Sequence, residues 1–145
     1  MIEPLYKDRV TAYFDGERAV AHITYSGVLH AEDSSAAYEW LQRLIEQIGI
    51  ENIRGEVFDF TEVRQFQPDN LIDAKKNSRK LNLRVNIHNT PVAMVVRDAV
   101  HREILRGPMR IVEENRRKRI VETMNEAYAF FEEWENEIAD DVQSS

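Results

Sequence analysis

The chain contains no cysteine. Disulfides, thiolate nucleophiles and zinc–thiolate centres are therefore excluded, which is compatible with a reducing compartment. Glycine is scarce as well, with five in 145 residues and none adjacent to another. A phosphate-cradling loop needs several glycines within a few positions, so P-loop nucleotide binding is excluded as a motif. Long apolar runs are missing: the longest, Pro91 to Val96, is far too short to span a bilayer. Met1-Ile2-Glu3-Pro4 lacks the basic start and apolar stretch of an export signal. These absences lead to the expectation of a soluble cytoplasmic protein. An excess of positive charge is lacking too. The formal net charge of −7 disfavours general binding to nucleic acid or to an anionic membrane surface. One basic run, Arg116-Arg117-Lys118-Arg119, opposes that trend. It reads as a solvated helix end, where cations suit the dipole, in preference to a docking site.

What is present is ordinary globular composition, 43% hydrophobic and 31% charged. A chain of this length can bury a core unaided. The expectation is a single domain over residues 1–145, with its core at about 9–138 and a frayed tail at 139–145.

Periodicity supplies the elements. Arg9 to Phe14 and Arg18 to Tyr25 flank Asp15-Gly16 and predict a β-hairpin, which Ser26-Gly27 breaks. His30-Ala31-Glu32-Asp33 opens a helix with acidic residues where the dipole favours them. Ala37, Trp40, Leu41, Leu44, Ile45 and Ile48 then form one apolar stripe, and Gly49 closes it. Glu56 to Phe60 predicts a short buried strand. Gln67-Pro68 opens a second helix, whose inner face carries Leu71, Ala74, Ser78 and Leu81. Leu83 to Ile87 alternates in the manner of an edge strand, and the pattern alone does not decide its state. Pro91 to Val96, apolar on both faces, predicts a central covered strand. Asp98 caps a third helix that Gly107-Pro108 kinks or splits, and Lys118 to Glu122 suggests a last strand. The final helix aligns Met124, Ala127, Phe131, Trp134 and Ile138. The order β-β-α-β-α-β-α-β-α implies an α/β fold with a mixed, mostly parallel five-stranded sheet under helical cover.

Chemical signatures are sparse. The histidines at 22, 30, 88 and 101 lie on separate elements, and His101 and Glu103 are two apart on a helix, so they point to different faces. No HExxH or comparable ligand pair exists, and no nucleophile elbow. No metal, cofactor or catalytic residue is expected, and the chain reads as a binder and not as an enzyme. Trp40 and Trp134 lie on inner stripes and are expected in the core. Tyr128 and Phe130 flank the last stripe. They form either an exposed apolar strip able to pair two copies as a homodimer, or part of a wide inner face wrapping the sheet.

One local pattern carries a resemblance. The run Asp59-Phe60-Thr61-Glu62-Val63-Arg64-Gln65-Phe66-Gln67-Pro68-Asp69-Asn70-Leu71 resembles the strand-to-helix segment of STAS domains, the anti-sigma-factor antagonist family, with the Asp, the hydroxyl residue, the Val and the final Leu at matching spacing. The element order is similar over nearly the whole chain, in the SpoIIAA-like branch of that fold. The resemblance implies a regulatory or protein-interaction module. In signalling members a Ser or Thr in this segment is phosphorylated by a partner kinase. Asp69 stands at that position here, with Gln67 and Pro68 before it in place of Asp and Ser, so the resemblance implies that the phosphorylation switch is absent. The expected partner- or ligand-binding loop comprises Asp59, Thr61, Phe66, Gln67, Asp69 and Asn70. It follows the carboxyl end of a central strand, where open α/β sheets place their crevices. The same residues also serve as local caps: Asp59 and Thr61 for backbone donors, Gln67 for the helix. Phe66 reads as a core plug. The fold is also similar to lipid-carrying domains of the SEC14 kind, which makes a carrier of a small apolar or lipid-like ligand the alternative function.

Overall fold

A computed structural model describes the backbone over 2–85, 89–111 and 116–144, and the side chains of those residues except at 107–111 and 140–144. Strand β1 (Leu5–Tyr6) precedes the hairpin of β2 (Val10–Asp15) and β3 (Val20–Leu29). Helix α1 (Ala31–Ile48) and a 3₁₀ turn (Ile50–Asn52) lead into β4 (Gly55–Phe66). Then follow α2 (Pro68–Arg84), β5 (Val92–Val95), α3 (Ala99–Ile111), β6 (Lys118–Val121) and α4 (Met124–Ser144). The sheet has six strands in sequence order. β1–β2 and β2–β3 pair antiparallel, and β3 through β6 run parallel. The mixed, mostly parallel architecture is as expected, with one strand more than the five read from the sequence. The addition is the two-residue β1, too short for any alternation to register.

Local chemistry explains the turns. The Asp15 carboxylate accepts from the backbone N–H groups of Glu17 at 3.0 Å and Arg18 at 3.2 Å, which folds the hairpin tip. At Gly49, φ of 86° suits a residue without a Cβ, and its N–H donates to Ile45 O at 2.8 Å. Asp98 Oδ1 accepts from His101 N at 3.0 Å over the first turn of α3.

Several expectations are corrected. Ser26-Gly27 does not end β3, which continues to Leu29. The pairing with β4 shifts register between Thr24 and Ser26 and again between Gly27 and Val28, and Gly27 takes a φ of +74° there. β4 does not stop at Phe60 but runs to Phe66 beside the lengthened β3. Leu83 and Arg84 belong to α2, so the alternation there is not a strand, and residues 86–88 lie outside the described residues. Helix α3 is not split at Gly107-Pro108 but runs on to Ile111. Helix α4 extends over residues 139–144. The basic run is no helix end: Lys118 and Arg119 open β6, and Arg117 is buried.

Strand alternation divides the core between the two faces of the sheet. Ala21, Ile23, Tyr25, Phe58 and Phe60 face α1, with Leu81 of α2 and Leu105 of α3 on the same side. Val20, Val57, Ala93, Val95 and Val121 face α4 through Ala127, Phe130, Phe131 and Trp134. The expected core residues Trp40, Leu44, Val57, Ala93, Val95, Phe131 and Trp134 are all buried. Phe130 is also buried, with Arg119 stacked 4.3 Å from its ring centre. Tyr128 is half-buried, its hydroxyl 3.2 Å from His22 Nε2 and its ring under the Arg18 guanidinium. The exposed strip is therefore absent, because the inner face of α4 is wide. The homodimer through Tyr128 and Phe130 loses its premise.

Candidate functional site: a cavity beneath the second helix

Pro68 pre-sets the first turn of α2, and the helix then packs along α1. Its inward stripe of Leu71, Ala74, Ser78 and Leu81 faces the sheet across a cavity of about 110 Å³. The sheet side of the cavity is aromatic. Tyr25 and Phe60 lie nearly parallel with ring centres 5.0 Å apart, Phe58 stacks on Tyr25 at 6.4 Å, and Phe66 tilts against Phe60 at 5.6 Å. Leu105 of α3 and Met94 of β5 add apolar wall.

The cavity changes character along the strands. Glu56, Val92 and Lys118 are cross-strand neighbours in one row at the amino ends of β4, β5 and β6. Glu56 is 2% exposed, and its Oε2 has no hydrogen-bond partner among the described residues. Burial pushes its carboxyl above the ordinary glutamate range, and the charges of Arg117 and Lys118 oppose that rise. Arg117 Nη1 donates to Thr90 O at 2.9 Å, and Lys118 Nζ lies 3.1 Å from Ser78 Oγ on α2. Tyr38 joins this end from α1. Burial and then the charge of Glu56 push its phenol up to about 12, against a hydrogen bond to Ser78. The polar end thus gathers residues of α1, α2, β4 and β6.

The residues expected to form one loop are divided. Phe66 and Asn70 are buried and line the cavity, so the core-plug reading of Phe66 holds. Asp59 points to the opposite face from Phe58 and Phe60, where its charge reaches His22. Its Oδ1 accepts from Thr61 N at 2.9 Å and Thr61 Oγ1 at 2.7 Å, the local capping role. Gln67 is the N-cap residue of α2 but makes no side-chain capping bond. Asp59 to Phe66 is therefore strand, and the loop shrinks to Gln67.

Asp69 is exposed in the first turn of α2. Its Oδ2 accepts from Ala31 N at 3.3 Å, the first N–H of α1, so one carboxylate touches both helix starts. Asn70 Nδ2 donates to His30 O at 2.9 Å beside it. Asp33 completes the junction, accepting from Arg9 Nε at 2.9 Å and from His30 N at 2.8 Å.

Sequence reasoning missed Glu56, Tyr38, Arg117 and Lys118 as site residues. The available signal was a charged residue opening an otherwise apolar strand, at both Glu56 and Lys118. Among the described residues, no three His, Cys, Asp or Glu side chains are placed to hold a metal ion. No described helix is long and apolar enough to cross a membrane.

No family model and no curated protein matches the chain. Solved structures do match. A protein of the DUF3478 family from Shewanella loihica PV-4, described as uncharacterised and with a SpoIIAA-like fold, superposes with a TM-score of 0.53 and 17% identity. That match covers 84% of this chain and 91% of the other. The anti-sigma-factor antagonist SpoIIAA in its unphosphorylated form superposes with a TM-score of 0.55 and 9% identity, over 83% of this chain and 94% of that one. At such identities the likeness is one of fold. The chain has the STAS-like fold, in the form shared by SpoIIAA and the DUF3478 protein.

Proposed function

We propose that this chain is a non-enzymatic binding module whose principal ligand is a small, largely apolar molecule held in the cavity beneath α2. One observation carries the reading. An apolar, aromatic cavity retains a buried carboxylate oxygen with no hydrogen-bond partner among the described residues at its polar end. Buried polar groups without partners cost stability and are rare, unless a bound molecule supplies the bond. The cavity is smaller than the roughly 150 Å³ that accepts benzene, so its size limits a ligand to a small molecule. A longer, lipid-like molecule would have to move α2 outward. The absence of any catalytic signature in the sequence supports binding over chemistry.

A second reading, docking of a protein partner on the junction of α1 and α2, is favoured by Asp69. Its carboxylate is exposed and sits at two helix starts. The likeness to an anti-sigma-factor antagonist supports this reading at the level of fold.

The test of the first reading is native mass spectrometry of the purified full chain, followed by titration with an environment-sensitive apolar dye. Ala74→Phe points a ring into the cavity from α2 and should abolish dye binding while circular dichroism stays unchanged. Dye binding that survives Ala74→Phe, with no co-purified molecule, would remove the cavity as the site.

A further inference from the structure

We propose that the outer face of α2 docks a second copy of this chain, which presents the outer face of its α4, so that copies associate head to tail. The docking surface lies on the outside of α2 and is independent of what the cavity beneath that helix holds.

The first half of the match is on α2. Away from the inward stripe, Ile72, Lys76, Arg79, Lys80 and Leu83 follow one another at helical spacing, and all five are exposed. Ile72 is 70% exposed and Leu83 88%, so each leaves aliphatic surface in water that gains by being covered. Eleven residues of helix place them about 16 Å apart, with the three cations between them. The whole of α2 holds five basic and two acidic residues in a chain whose net charge is −7. Lys75, Lys76, Arg79, Lys80 and Arg84 make no ion pair among the described residues. An exposed aliphatic residue standing alone is ordinary, whereas two that bracket a cationic stripe form a patch suited to an acidic surface.

The chain carries such a surface on α4. That helix has seven acidic residues and no basic one, which equals the formal net charge of the entire chain. Asn125, Ala129, Glu132, Glu133 and Asn136 are exposed on the side turned away from Phe131 and Trp134. Glu133 pairs with Arg119, and Glu132 makes no ion pair among the described residues. Ala129 is a small residue beside both carboxylates, three and four positions before them, and it leaves room there for an aliphatic side chain.

The two stripes lie on opposite sides of the sheet, since α2 packs with the core that faces α1 and α4 covers the other face. One copy can therefore use both at once. Contact between two different patches is heterologous and passes from copy to copy, in a ring or an open row. Like net charge repels the copies at long range, and the attraction of α2 for α4 acts at contact. One helix face against another is a small interface, so the association is weak and sensitive to salt.

The test is sedimentation velocity of the full chain from micromolar to millimolar concentration, at about 0.01 M and about 1 M salt, where the screening length falls from about 30 Å to about 3 Å. The sedimentation coefficient should rise with concentration in low salt and stay constant in high salt. Lys76→Glu with Lys80→Glu should weaken the association at least about tenfold, as like charges brought together do. Glu132→Lys with Asn136→Lys should do the same from the other side. Mixing the two double variants should restore association, because each reversed stripe then meets its complement. Both variants remain net negative, so the recovery reports the faces and not the overall charge. Leu83→Ser, at the most exposed of the aliphatic positions, should weaken association several-fold and keep its salt dependence, and it carries the test if a charge reversal fails to fold. A chain that stays monomeric in low salt throughout would overturn the proposal. So would association that survives either reversal, or a mixture that stays monomeric. A monomer whose α2 stripe instead binds vesicles of anionic lipid, and loses that binding on Lys76→Glu with Lys80→Glu, would assign the face to a membrane and overturn the second copy as its occupant.

Discussion

The two faces of the sheet are built to different standards. On the α4 face, aromatic side chains close directly onto the strands. A Cβ added at Gly55 would stand 2.7 Å from the Phe131 ring, so the glycine is there to let that ring approach. Phe130 and Trp134 pack edge-on beside it, and Trp134 Nε1 finds Asn89 O at 3.0 Å. On the other face α1 is equally tight, with Trp40, Leu41 and Leu44 at most 1% exposed. Under α2 the packing opens into a cavity with a carboxylate in it. Among the described residues, the inner stripes of α4 and α1 are closely packed, and the space beneath α2 contrasts with both. A fold under pressure only for stability would close that gap, since an unfilled space forfeits contacts.

The largest expected effect lies on the tight face. Phe131→Ala should cost about 3–5 kcal/mol in chemical denaturation, the range for deleting a fully packed aromatic. Leu71→Ala, at a half-buried position on the cavity wall, should cost far less. Equal losses at the two positions would erase the contrast between the faces. Next in size is Gly55→Ala. The new methyl group has no room beneath Phe131, and overpacking of this kind costs about 1–3 kcal/mol. Ala74→Leu adds more volume than Gly55→Ala, yet it points into the cavity and should leave the unfolding midpoint nearly unchanged.

Glu56→Gln sharpens the comparison through pH. The folded carboxyl titrates above its ordinary value of 4.5, chiefly through burial. The native state therefore holds its proton more tightly than the unfolded chain. Stability falls as pH rises from the ordinary value through the raised one, and the penalty is complete above it. Replacing the carboxyl with an amide removes that penalty. The Gln variant should be more stable than the parent at pH 7, and the gain should shrink on acidification and vanish below the ordinary glutamate range. A gain independent of pH would mean that Glu56 is not buried as an acid.

How legible this was in the sequence depended on how local the signal is. The stripes of α1 and α4 repeat large apolar residues at helical spacing, and the middle of each stripe is buried while Ile48, Met124 and Ile138 at the ends are partly buried. The second half of β4 gave no such signal. Glu62, Arg64 and Gln65 are exposed, because beyond Asp59 the strand pairs with β3 alone and not with β5. Polar residues on such an extension look like loop. The cavity was illegible for a different reason. Glu56 and Lys118 are far apart in the chain and become neighbours only once β4, β5 and β6 are laid side by side. The inner face of α2 is the expected Leu71, Ala74, Ser78 and Leu81, but the pattern does not show that these residues border a space. At the junction of the helices, Asp69 was placed in the first turn of α2 from Gln67-Pro68 alone. That it also reaches α1 required the fold.

The smallest expected effect belongs to Asp69, and it decides whether the junction is only structural. The carboxylate accepts one long bond from Ala31 N and lies near the positive ends of two helices. Asp69→Ser removes the charge and keeps a hydroxyl able to accept a bond. The loss should be about 0.3–1 kcal/mol, the usual worth of a charge in a helix's first turn. Because Asp69 is exposed, the loss should diminish in high salt, where such an interaction is screened. A loss that is the same in low and high salt would assign the effect to the hydrogen bond instead. Affinity for the environment-sensitive apolar dye provides the control. Asp69 does not line the cavity, so the substitution should leave that affinity unchanged, and any partner that docks on the junction should feel it at once. If Asp69→Ser alters dye binding, the junction and the cavity are coupled through α2, and the two faces of that helix cannot be assigned separate roles.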